Sequence, residues 1–131
     1  MKVVINKYGF KVKPVYKPID IQKGMMNNNF DSSFSGMLFL MDDKEHCFWM
    51  KNCIIPLDII FIKNKVITKI HKNCKPCKTK DCDNFCGYGN MVLELPSGSC
   101  DKLNFKVNDV IKVINKLLNP DGILGRQLTL I

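Results

Sequence analysis

The chain has 131 residues, enough for one domain with a substantial core, and its 46% hydrophobic and 24% charged content excludes an intrinsically disordered chain. The longest apolar run, Ile54 to Ile62, is interrupted by Pro56 and Asp58 and is too short to span a bilayer. The opening MKVVINKYGFKVK has no apolar core of signal-peptide length, so a soluble protein without an export signal, cytoplasmic or held within a particle, is expected.

In chain order, KVVIN and FKVKPVY read as an opening hairpin around Tyr8-Gly9, with alternating side chains. KPIDIQKGMM supplies one or two helical turns, since Pro18 suits a helix start and Gly24 weakens the end. NNNFDSSFSG is a polar loop. GMLFLM, HCFWMK, LDIIFI, VITKIH and MVLELP are the strongest strands, with DDKE and KNK as hairpin turns between them. After Pro96, SGSCDKLNF reads as a short helix that Ser97 or Ser99 can cap, and KVNDVIKVI as a turn and a core strand. The tail is expected to turn at Asn115 to Leu118 and to break at Pro120-Asp121-Gly122. Its apolar end, LTLI, calls for a pairing partner on this chain or a neighbour.

Ile59, Ile60, Phe61 and Ile62 make both faces of their strand apolar, so layers must cover it on each side. The expected fold is mostly β (α+β): a small barrel-like antiparallel domain over residues 1–114 with one or two short helices, followed by a tail at 115–131.

The segments KGMM, SGMLFLM, FWMKNCIIPLDIIFI, MVLELPSG and LNFKVNDVI occur in that order over about residues 20 to 114. Together they resemble the domain-of-unknown-function 192 family. Its pattern is similar to G-L-M, G-M-L-F, F-W-M-K-N-T-x-I-P-L-D-I-x-F-I, L-E-x-x-x-G and G-I-x-x-G-D-x-V. The resemblance implies a compact β-barrel-like fold and, because the family is uncharacterised, no reaction. Two departures stand out. The family often has an Arg shortly after G-L-M, where this chain has MMNNN with Asn28. Its Gly-Asp turn is Asn108-Asp109 here.

Within FWMKNCIIPLDIIFI, an extended backbone puts Phe48, Met50 and Asn52 on one side and Trp49, Lys51 and Cys53 on the other. Pro56 then turns the chain, so Lys51 and Asp58 are expected to meet across the bend while Asn52 satisfies backbone groups left open there. The trio then stitches a corner of the barrel, since buried polar groups are normally paired. The competing reading places Lys51 and Asp58 at the mouth of a pocket with Trp49 and Phe48 as its floor, binding a small anionic or polar ligand. Glu94 joins that cluster, and with His46 it offers an acid–base pair.

CKPCKTKDCDNFC holds Cys74, Cys77, Cys82 and Cys86, a spacing near that of a zinc knuckle, with His71 as a spare ligand. Lys72, Lys75, Lys78 and Lys80 surround it and suit phosphate contacts. The resembled family shows a P-C-x-x-x-x-C pattern in this loop, which Cys77 and Cys82 fit and which implies a loop-closing disulfide in exported relatives. Zinc, disulfides and free thiols therefore stay open as alternatives. Cys47, Cys53 and Cys100 read as core-filling thiols.

Three functions follow as expectations. The first is a non-enzymatic binding or structural module that docks with protein partners in a larger assembly, such as a virion or other multi-subunit particle. The second is a zinc-dependent nucleic-acid binder built on the Cys74–Cys86 loop. A net charge of +8 admits that reading, although the lysines are spread along the whole length and the Lys-, Asn- and Ile-rich composition also follows from AT-rich coding. The third is an enzyme or small-ligand binder with its pocket at Lys51 and Asp58.

Overall fold

A strand that is apolar on both faces must be roofed and floored, and that demand organises the whole sheet. The structure, a computed structural model, describes residues 1–118 and 124–129, with side chains through residue 115. Its strands are β1 (Lys2–Ile5), β2 (Tyr8–Val15), β3 (Gly36–Phe48), β4 (Leu57–Lys63), β5 (Val66–Cys74), β6 (Phe85–Pro96), β7 (Ile111–Leu118) and β8 (Leu124–Thr129). Two short helices, α1 (Pro18–Lys23) and α2 (Ser99–Leu103), complete the chain. The mostly β architecture expected from the sequence is the one observed. Among the described residues no helix is long and apolar enough to cross a membrane.

The strands form one sheet in the order β5-β4-β6-β3-β2-β1-β7-β8, curled into a half-barrel. All neighbours run antiparallel except β2 and β3, whose pairing from Val12↔Gly36 to Val15↔Phe39 is parallel; the α1 crossover and the loop after it make that possible. The start of β5 also reaches the far end of the sheet. There the Ile67 N–H donates to Asp109 O and the Ile111 N–H to Lys65 O.

Alternation along β4 and β6 divides the core in two. Ile60, Ile62, Leu93 and Leu95 enter one cluster, with Phe105 and Val113, while Ile59, Phe61 and Val92 enter the other, with Met25, Phe39 and Met50. The second layer is roofed by α1 and by the segments that follow α1 and β3.

Several local details differ from the sequence-based expectation. DDKE does not turn the chain: β3 runs straight through it as a 13-residue strand, with a bulge between Leu40 and Lys44 against β6. The first hairpin turns at Asn6, whose φ is 55°, two residues before Tyr8. β7 continues through the expected Asn115–Leu118 turn and pairs with β8. The tail's Leu128 and Thr129 thus lie opposite Asn115 and Ile114 of the same chain, while residues 119–123, Leu130 and Ile131 lie outside the described residues.

The asparagine content has a structural use beyond codon composition. Among the described residues eight non-glycine positions have positive φ, and seven of them are asparagine; the exception is Lys65, which shares the β4–β5 turn with Asn64. Asn tolerates the left-handed region because its short side chain can bond locally, so it does here what glycine commonly does in tight turns.

Candidate functional site

Two buried acids decide the chemistry of the central region, and they are treated oppositely. Asp58 and Glu94 are the buried charged residues among the described ones, 0% and 3% exposed. Asp58 opens β4, directly after the Pro56 bend. Its Oδ1 accepts from the Asn73 N–H at 2.9 Å and the Gly98 N–H at 3.3 Å, and its Oδ2 accepts from the Cys100 N–H at 2.9 Å. Two of those donors lie at the N-terminus of α2, where helical N–H groups lack internal partners. The helix carries no side-chain cap from Ser97 or Ser99, so Asp58 performs that task from another strand.

Lys51 does not meet Asp58. Its ammonium lies 5.1 Å from the centre of the Trp49 ring, a cation–π contact at the surface. Asn52, with φ of 60°, works through its backbone: its N–H donates to Cys77 O and its carbonyl accepts from the Asn27 N–H. The expected alternation stops at Phe48, where β3 ends. Beyond it Met50 and Cys53 are both buried and Trp49 is 40% exposed. The polar cluster of Trp49, Lys51, Asn52, Asp58 and Glu94 is therefore divided between a buried corner at Asp58 and a cavity at Glu94.

That cavity, about 250 Å³, lies beneath α1. Its walls include Met25 and Met26 after the helix, Phe39 and Phe48 of β3, and Trp49 and Cys53 beyond it; Glu94 enters from β6. Strand alternation explains the last placement: Leu93 and Leu95 point into the first core layer, which sends Glu94 into the second. Glu94 takes part in no ion pair among the described residues, and burial is the cause that pushes its carboxyl up to about 8. The acid is thus neutral near pH 7 and presents an O–H donor to the cavity. The expected pairing with His46 is not formed. The His46 Nε2–H donates to Asp42 O at 2.7 Å, although the imidazole also borders the cavity. Cys53 is pushed up to about 11 by burial and then by the nearby Glu94, so it is a thiol and a poor nucleophile.

The expected zinc set is not assembled. Cys77 is bonded to Cys82, the pair implied by the P-C-x-x-x-x-C resemblance, and Cys86 is bonded to Cys47. Cys74 stays a buried thiol, pushed up to about 12 by burial. The physical reason is strand register, because Cys47 and Cys86 stand directly opposite each other where β3 pairs with β6. No group of three or more potential ligands is poised for a metal among the described residues. The spare ligand, His71, donates from Nε2 to Cys86 O at 2.8 Å, and Lys72 pairs with Asp101 at 2.6 Å.

Sequence reasoning named Glu94 but attached it to Lys51 and Asp58. A carboxylate between two leucines in a strand apolar on both faces was the available signal for an enclosed acid. The contributions of Met25, Met26 and Phe39 come from the chain folding back over β3 and had no local signature.

A model of the DUF192 family, described as "Uncharacterized ACR", matches residues 2–113. No curated protein matches the chain significantly. A crystal structure of a protein of unknown function from Novosphingobium aromaticivorans is similar, with a TM-score of 0.77 and 27% identity, covering 86% of this chain and 84% of that one. A second, from Sinorhizobium meliloti, is provisionally described as a transcription regulator. It has a TM-score of 0.71 and 25% identity, covering 84% of this chain and 88% of that one.

The two acids should respond differently to substitution. Asp58→Asn keeps the size but turns one acceptor into a donor facing backbone N–H groups, and should destabilise the fold by roughly 2–3 kcal/mol in urea unfolding; unchanged stability would refute the capping role. For Glu94, the folded-state value of about 8 exceeds the ordinary 4.5, so the folded state holds more protons between those limits. The contribution of that bound proton to stability is fully present below about 4.5, where the unfolded chain is protonated too. Stability then falls as pH rises from there toward 8, by at most ~1.4 kcal/mol for each pH unit crossed. Glu94→Gln should flatten that part of the pH–stability curve relative to wild type, and a curve of the same slope would contradict the assignment.

Proposed function

The chain belongs to the DUF192 family, which supplies no reaction, and from that premise we propose a function drawn from the cavity itself: binding of a small, mostly apolar molecule. The bound molecule presents a carbonyl-type acceptor to Glu94. The observation that carries this reading is geometric: Glu94, 3% exposed and without an ion pair among the described residues, borders a mostly apolar cavity, and burial pushes its carboxyl up to about 8. A buried polar group without a partner is costly, and sites that bind small molecules combine apolar walls with a few convergent polar groups. Methionines at 25, 26 and 41 adapt to the shape of a guest at little cost in strain. A carboxylic acid kept neutral near pH 7 is suited to donating a hydrogen bond. The role proposed is binding rather than catalysis, with Glu94 as a fixed donor and the Cys53 thiol held protonated beside it.

Trp49, the single tryptophan of the chain, borders the cavity and reports occupancy by its fluorescence. Titration with decanamide, a straight-chain primary amide, should give a saturable change at pH 7. Affinity should fall about tenfold between pH 7 and 9, as the fraction of neutral Glu94 falls. Glu94→Gln keeps an N–H donor and should bind without that pH dependence, whereas Glu94→Leu should bind at least about fivefold more weakly. Absence of saturable binding, or equal binding by Glu94→Leu, would overturn the proposal.

A further inference from the structure

An unpaired polar atom lies along the same strand. Asn90 Oδ1 is buried and meets no hydrogen-bond donor, the one such side-chain atom among the described residues. Buried acceptors of this kind are rare in folded proteins and ask for an explanation. Asn90 stands four residues before Glu94 on β6, and strand alternation puts Asn90, Val92 and Glu94 on one face. It also faces the β3 bulge: Leu40 pairs with Met91 and Lys44 with Gly89, so the bulged residues open the sheet beside Asn90.

The space at Asn90 is a groove of about 720 Å³ that continues the Glu94 cavity. Both are bordered by Ile21, Gln22, Met41 and His46, and the groove adds Leu40 and Met91 as apolar walls. The two anchors are thus separated by four strand steps, ~13 Å of backbone. The trough between them is lined by Ile21, Leu40, Met41 and Met91, is bordered by Asp42 and Lys44 at the Asn90 end, and meets the Phe39, Phe48 and Trp49 rings at the Glu94 end.

Resting on the small-molecule reading of the Glu94 cavity, we propose that the ligand is an extended aliphatic chain with polar groups at both ends. A carbonyl oxygen at one end accepts from Glu94, and a hydroxyl or N–H at the other donates to Asn90 Oδ1. The trough sets the length and the two anchors set the polarity, so Asn90 is a specificity-determining residue for the far end.

The test compares 10-hydroxydecanamide with decanamide by Trp49 fluorescence, below the concentration at which either aggregates. Wild type should bind the hydroxylated chain about fivefold more tightly, the gain from one hydrogen bond to an otherwise unpaired acceptor. Asn90→Leu should bind the two amides equally, because the acceptor that distinguishes them is gone. In wild type, 6-hydroxyhexanamide should gain nothing over hexanamide, because the shorter chain cannot reach Asn90. Equal binding of both ten-carbon amides by wild type, with dependence on Glu94 intact, would overturn this inference and leave the cavity reading standing. A preference that persists in Asn90→Leu would also overturn it, and failure of all four amides to bind would overturn both.

Discussion

Burial of β6 on both faces is the constraint from which the rest follows. The strand pairs with β3 on one side and β4 on the other, and its side chains alternate between two apolar layers. No residue in its central run can reach bulk water by turning over, because either face is covered. A carboxyl placed there must be paired, or it must hold its proton. Glu94 does the second. The close approach of β6 to β4 belongs to the same constraint: a side chain at Gly87 would strike the Phe61 ring, and one at Gly89 the Ile62 carbonyl.

The contrast between the two acids separates architecture from site. Asp58 receives three backbone N–H groups and so joins the β4 start, the β5 end and the α2 N-terminus. With those bonds made and the side chain 0% exposed, no face of the carboxylate is left open to a ligand. Glu94 is enclosed to nearly the same degree, without an ion pair among the described residues and beside a cavity. Burial alone does not mark a functional group. Burial without satisfied partners, next to empty space, does.

Much of the sheet was legible because its signals are local. The two-sided apolar run at Ile59–Ile62 required layers, and the Asn64 turn joined β4 to β5 as expected. Pro18 and Gly24 bounded α1 as read. What failed depended on distant pairing. DDKE looks like a turn by composition, yet its residues are carried across as a bulge because β6 runs alongside for the whole length of β3. The Cys47–Cys86 disulfide spans 39 residues and depends on register, so spacing within the cysteine-rich loop pointed to zinc instead. Lys51 and Asp58 were correctly read as close in sequence to a bend. The chain leaves the strand after Phe48, however, and turns Asp58 inward while Lys51 rests on Trp49. The candidate cavity was only partly visible: Glu94 and Trp49 were named, but their meeting under α1 was not.

The similar solved structures share the fold and leave the chemistry open, which places the weight of the functional account on the protonation state of one side chain. Isotope-edited infrared spectroscopy of protein labelled at the glutamate carboxyls measures that state directly. The account predicts a protonated-carboxyl C=O band at pH 7 that titrates with a midpoint near 8 and is missing in Glu94→Gln. A spectrum showing every glutamate ionised at pH 6 would contradict it.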